Sequence, residues 1–402
     1  MINNSSKRNF LRAFPLVILL LGIGLFSSCE KENERHSAVY TESSLIKEVS
    51  KAQVKTLLEV NPLTNAMASK LPLTDVDVYR IVYTTENYDG KEVKASGALL
   101  VPKIDMPLTL VSYQHGTIWK ESDAPSEYDT GKEIKMLATP LASCGFAVVV
   151  PDYIGYGASK DLMHPYEHAQ TLAKASYDMI QASKKFLAEK EVALNGKMII
   201  TGYSEGGSAT MALHKYIEEN TSDVITMSAP ASGAYNKTLS NKQFVSTVGE
   251  SITSRYFLWV VDCYKKVYNI DMPWDQIVNA PFNQLISSMS NPFELQNMKV
   301  SLEPNKLLTP SFINAIKNES NEALENAIKD NNRWEWTPKF PMMIYYSAAD
   351  DLVSPANATT AIEYMQSQGA PVQGVKFEGF DHYQAFGAYF AHVFQVIMSQ
   401  RQ

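Results

Sequence analysis

A serine hydroxyl attacks a carbonyl carbon only when a base takes its proton, and a histidine does this best when an acid orients its ring. The chain carries such residues in a workable order. Ser204 stands in Gly202-Tyr203-Ser204-Glu205-Gly206-Gly207, Asp350 and Asp351 in SAADDLVSPANA, and His382 in EGFDH. Of the seven histidines, only His382 and His392 follow both the serine and these acids. The chemistry of such a set is acyl transfer, and it also needs N–H donors for the developing oxyanion. The amide of Glu205, next to the serine, is one candidate. The segment Tyr113-Gln114-His115-Gly116-Thr117 offers the second from Thr117 or Gly116, with His115 as a positioning residue. G-x-S-x-G alone is a weak pattern, so the elements around it must decide.

An apolar strand is expected over 197–201 and a helix over 205–219, which puts Ser204 at a strand-to-helix bend. Gly202 and Gly206 let the chain turn there, and the helix N-terminus favours negative charge. Strands over 342–346 and 372–377 lead to the aspartates and to His382. Ser354 and Pro355 read as cap and first residue of a helix over 355–368. A last helix over 383–399 holds His392 as a surface or packing residue. Further strands are expected over 108–113, 146–150 and 224–227, and a helix over 166–189. Ahead of them lie a hairpin (79–83 and 93–101, turning at Asp89-Gly90) and a helix around 45–58. Apolar strands alternating with helices predict an α/β fold, a mostly parallel sheet covered on both faces, with ligands at the strands' carboxyl ends. The alternation stops between 231 and 338, where helices over 254–268 and 310–330 and several aromatics predict a helical cap. The core is thus expected as 75–230 plus 339–402, behind a tether and lead-in over 29–74.

Net charge is −7 and no basic block is large enough to track phosphates, so nucleic acid is not an expected partner. Lys7, Arg8 and Arg12 precede an apolar run over 14–26 and then Ser27-Ser28-Cys29. This resembles a bacterial lipoprotein signal, which implies removal of residues 1–28, lipidation of Cys29, and a charged tether behind it. The expected location is the cell envelope, at the outer membrane or cell surface, with the membrane as partner through the lipid. For Cys144 and Cys263 the sequence supports no disulfide. His164-Pro165-Tyr166-Glu167-His168 matches the inverted zinc-protease pattern H-x-x-E-H. Pro165 there marks a helix start and makes His164 its cap, so no metal site is expected.

Tyr113 to Thr117, Pro151-Asp152-Tyr153-Ile154-Gly155-Tyr156-Gly157, the Ser204 motif, Asp350 and His382 occur in the order found in the α/β-hydrolase superfamily. The PDYxGxG and GYSxGG pair resembles the secretory lipase family, in its lipase-A-like branch, across residues 75–399. The acid segment resembles the hydrolase pattern in which valine follows the acid by three residues; Val353 fits Asp350 at that spacing, with Asp351 as the alternative. The resemblance implies a serine carboxylic-ester hydrolase without cofactor, acting on small-molecule or lipid esters. It also implies Ser204 as nucleophile, Asp350 as acid and His382 as base, with Asp152 and Tyr153 shaping the adjoining loop. The lipoprotein start and the His-Gly-Thr loop depart from the family pattern. A serine peptidase or acylaminoacyl-type hydrolase on the same machinery, or a non-catalytic surface lipoprotein, are the alternatives. The Glu205 side chain is expected at the rim of the acyl pocket or against the cap.

Overall fold

The computed structural model describes residues 40–60, 65–131, 133–289 and 291–401. The expected signal segment, Cys29 and the start of the tether lie outside them.

Nine strands form one sheet: β1 (Tyr40–Val49), β2 (Val76–Glu86), β3 (Glu92–Pro102), β4 (Leu108–Gln114), β5 (Phe146–Pro151), β6 (Leu194–Tyr203), β7 (Met227–Ala231), β8 (Met342–Ser347) and β9 (Val372–Phe377). Their order is β1-β2-β3-β5-β4-β6-β7-β8-β9. β1, β2, β3 and β5 join antiparallel, and every pairing from β5 to β9 is parallel. The parallel centre is covered on both faces: β4 and β5 have no exposed residue along their length. Successive side chains point to opposite sides. Val148 and Val150 pack with Tyr389, Phe390 and Val393 of the helix His382–Met398. Ala147 and Val149 pack with Met179 and Phe186 of the helix Ala169–Glu189 on the other side. Each such fully buried valine or phenylalanine contributes roughly 1.5–3 kcal/mol.

The chain between β7 and β8 is helical and builds a core of its own from Phe257, Leu258, Trp259, Ile277, Phe312 and Ile328. Its helix Thr253–Val267 lies where one was expected. The single helix expected over 310–330 is two, Pro310–Asn318 and Glu322–Asp330. Glu319 breaks it in a left-handed conformation (φ 49°), and Asn321 caps the second piece through Leu324 N–H.

The lead-in also differs from expectation. Residues 45–49 extend as part of β1, and only Lys51–Glu59 is helical, begun by a Ser50–Gln53 capping box. The apolar spacing of 45–58 suits a helix, but the open edge of β2 offers backbone partners that an extended chain satisfies. β7 runs three residues later than expected. Its Ser-Ala-Pro-Ala lacks the apolar run of the other strands, yet the pairing with β6 holds it extended.

Candidate active site

Ser204 follows β6 directly and precedes the helix Glu205–Asn220. Its backbone stands at φ 61°, ψ −121°, a conformation that costs a non-glycine residue about 1–3 kcal/mol. Close packing holds it there. A Cβ on Gly206 would lie 1.9 Å from the Gln114 carbonyl oxygen, and one on Gly207 2.1 Å from that of Ala231. The first turn of the helix is thus wedged between the ends of β4 and β7, with Ser204 N–H donating to Ala231 O (2.9 Å).

The structure brings three of the expected residues together. His382 Nε2 lies 2.9 Å from Ser204 Oγ, and His382 Nδ1 lies 2.8 Å and 3.0 Å from the two Asp350 oxygens. An ionised carboxylate only accepts, so Nδ1 donates, and in the neutral ring Nε2 is left to accept from the serine hydroxyl. Asp350 Oδ1 also accepts from the amides of Leu352 (3.1 Å) and Val353 (2.8 Å), which fixes the carboxylate plane. The His382 and Asp350 side chains are 3% and 1% exposed. Asp351 does something else: its Oδ1 accepts from the backbone N–H of His382 (3.1 Å). Ser354 Oγ accepts from Ala356 N–H at the head of the helix Ala356–Ser367. His392 sits within the last helix, 3.1 Å from the Tyr345 hydroxyl.

The two amides offered for the oxyanion loop are not equivalent. Gly116 N–H donates to Glu133 Oε2 (3.0 Å), and Tyr113 O–H donates to the same oxygen (2.6 Å). The Thr117 and Glu205 amides have no acceptor among the described residues. The Thr117 hydroxyl meets Tyr166 O–H at 3.0 Å. His115 is buried, with Nδ1 2.7 Å from the Gly116 carbonyl and its ring against Tyr153. The fully buried Asp152 accepts from Ser96 O–H (2.6 Å) and Ser126 N–H (2.8 Å), tying the β5 loop to its neighbours.

The Glu205 side chain does not face a pocket rim. It is 2% exposed, with Oε1 2.8 Å from His164 Nε2. His164 Nδ1 lies 2.7 Å from the Ile154 carbonyl, which can only accept, so Nδ1 carries a proton. One further proton must therefore sit between Nε2 and the carboxylate. His164 is accordingly no helix cap: the helix starts at Ala169, with His168 at its N-cap. Glu167, at φ 56°, turns away from both histidines to pair with Lys237 Nζ, and burial pushes its carboxyl upward. Burial also lowers His168 to about 4. The H-x-x-E-H residues thus serve separate partners. Sequence reasoning missed Glu133, Lys237 and the His164–Glu205 contact, each a pairing between distant segments.

A cavity of about 280 Å³ opens on Ser204, lined among others by Tyr166, Lys237, Phe244, Phe257 and Asp350. Cys144 and Cys263 are free and buried, and burial pushes the Cys144 thiol up to about 12.

A family model for secretory lipases matches residues 121–383. No curated protein matches significantly. Among solved structures, a protein of Legionella pneumophila is 23% identical, with 90% of this chain and 97% of the other covered at a TM-score of 0.79. The rice cell wall degrading esterase LipA of Xanthomonas oryzae is 24% identical, with coverage of 90% and 98% and a TM-score of 0.76. Candida antarctica lipase A is 18% identical, with coverage of 85% and 77% and a TM-score of 0.61. These likenesses show the fold.

Proposed function

The chain belongs to the secretory lipase family and is a carboxylic-ester hydrolase, and from that premise we propose that it works through Ser204, His382 and Asp350 by an acyl-enzyme. His382 Nε2 takes the hydroxyl proton as Ser204 Oγ bonds to the ester carbon. The carbonyl oxygen, now an anion, is received by the amides of Glu205 and Thr117. Gly116 is set aside because Glu133 already holds its N–H. Collapse of the tetrahedral species expels the alcohol, which leaves with the proton from Nε2. A water then gives a proton to the same nitrogen as it attacks the acyl carbon, and collapse breaks the acyl–Oγ bond, with Nε2 returning the proton to Ser204 Oγ as the acid leaves. Asp350 keeps Nδ1 protonated and stabilises the imidazolium formed twice in each cycle.

The observation that carries this reading is the unbroken Asp350–His382–Ser204 chain of hydrogen bonds, ending at a strained, cavity-facing serine. The helices between β7 and β8 act as a cap, because Phe244, Tyr256, Phe257 and Val260 form one wall of that cavity. Lipidation at Cys29 holds the exported chain at a membrane of the cell envelope; no helix among the described residues is long and apolar enough to cross one. Hydrolysis of p-nitrophenyl esters should fall about 10³-fold or more in Ser204→Ala. Equal rates in wild type and variant would remove the assignment. Cys29→Ser should release the chain from the membrane fraction, and unchanged retention would contradict the anchor.

A further inference from the structure

The cavity wall holds an ion pair that the reaction above does not use. Lys237 and Glu167 face each other in it, with side chains 7% and 9% exposed. An ammonium group has three N–H donors. Glu167 takes one, and among the described residues no acceptor meets the other two. Buried donors are nearly always paired, because leaving one unmade costs its full desolvation. Lys237 itself lines the chamber that Ser204 opens into.

The chamber's chemistry narrows what the spare donors can meet. The alcohol takes its proton from His382 Nε2 as it leaves, and the chamber that Ser204 lines is assigned to the acyl group that stays on the serine. Its charged lining is Lys237 against Glu167, Asp350 and Asp351, so an acyl chain ending in a carboxylate would meet more negative charge than positive. A neutral oxygen meets no such repulsion and satisfies the spare donors. Phe244, Phe257 and Val260 provide the apolar surface for the carbons before it.

We infer that Lys237 is a specificity residue of this esterase, selecting acyl groups that carry a neutral acceptor oxygen, such as a hydroxyl or ketone, several carbons from the ester carbonyl. Glu167 positions it. The inference rests on the proposed Ser204 reaction and refines its substrate class.

The test compares p-nitrophenyl esters with one leaving group and acyl chains of similar length: heptanoate, 6-hydroxyhexanoate, 5-oxohexanoate and the monoester of adipic acid. They are assayed with the full chain in detergent. Wild type should favour the hydroxy or oxo ester over heptanoate by roughly 10-fold or more in kcat/KM, the range of one charge-assisted hydrogen bond. The adipate monoester should be the poorest of the four. In Lys237→Met the preference should fall to near unity while heptanoate is still cleaved. If that variant does not fold, because Glu167 is left buried and unpaired, the double variant Lys237→Met/Glu167→Leu replaces it. No preference in wild type, a preference that survives in the variants, or adipate as the best substrate would each overturn the inference. Ser204-dependent cleavage of heptanoate, measured in the same series, reports separately on the underlying reaction.

Discussion

Glu205 is where the structure departs furthest from what its place beside the nucleophile suggests, and replacing it is informative. Glu205→Ala removes the one side-chain partner that His164 Nε2 has among the described residues, at a site where both side chains are 2% exposed. Alanine leaves Nε2 of a buried ring without a partner, at about 1–3 kcal/mol, and forfeits about 1 kcal/mol of packing. Glu205→Gln fills the same space and keeps an N–H that can donate to Nε2 of a neutral His164, a loss of about 1 kcal/mol. The alanine variant should therefore be less stable than the glutamine variant by about 1–3 kcal/mol. Urea unfolding followed by fluorescence, with both midpoint and slope fitted, measures this. Glu205→Ala/His164→Ala should lose less than the two single changes summed, since both report on one contact. If the alanine variant is as stable as wild type, or matches the glutamine variant, the shared-proton pair is not what holds this segment.

The two aspartates should separate cleanly in steady-state kinetics. Asp350→Asn should lower kcat by roughly 10³–10⁴-fold by favouring the wrong imidazole tautomer, whereas Asp351→Asn keeps an acceptor for the His382 amide and should cost under about 10-fold. His168 sits near 4 when folded against 6.5 for a free histidine, so the unfolded chain binds a proton that the folded chain refuses between those values. Stability should then fall by up to about 3 kcal/mol as pH drops through that window, and level off below it. Unfolding midpoints from pH 4 to 7 check this, and His168→Asn should flatten the slope. Gly206→Ala should fail to give active protein, because its methyl would sit 1.9 Å from a backbone oxygen with no flexible side chain to yield. A folded, fully active variant would contradict the wedge described at the elbow. Native Cys144 and Cys263 should resist Ellman's reagent and react only on unfolding, since both thiols are buried and pushed upward.

What could be read from the sequence was what local pattern encodes. The mostly apolar runs of β4 and β5 announce a sheet buried on two faces, and G-x-S-x-G between a strand and a helix announces the bend at Ser204. What could not be read was pairing across distance. Glu205 meets a histidine 41 residues upstream, and Lys237 meets a carboxylate 70 residues away. Neither bond leaves a periodicity or a spacing behind. Asp350 and Asp351 are neighbours with similar surroundings in sequence, and only the fold directs one to the imidazole ring and the other to its backbone. The strand β1 was hidden for a related reason. Its apolar spacing suits a helix, and the partner edge that overrides it lies beyond residue 75.

The role of Ser204 as nucleophile, activated by His382, is open to direct chemical test. Diethyl p-nitrophenyl phosphate mimics the ester but leaves a phosphorylated serine that water releases slowly. Intact mass and peptide mapping should show one diethylphosphoryl group per chain, on Ser204, with one equivalent of p-nitrophenol released as activity disappears. Ser204→Ala should take up none, and His382→Ala should react far more slowly. Inactivation with the label on another residue, or an unlabelled Ser204→Ala that still hydrolyses esters at the wild-type rate, would contradict it.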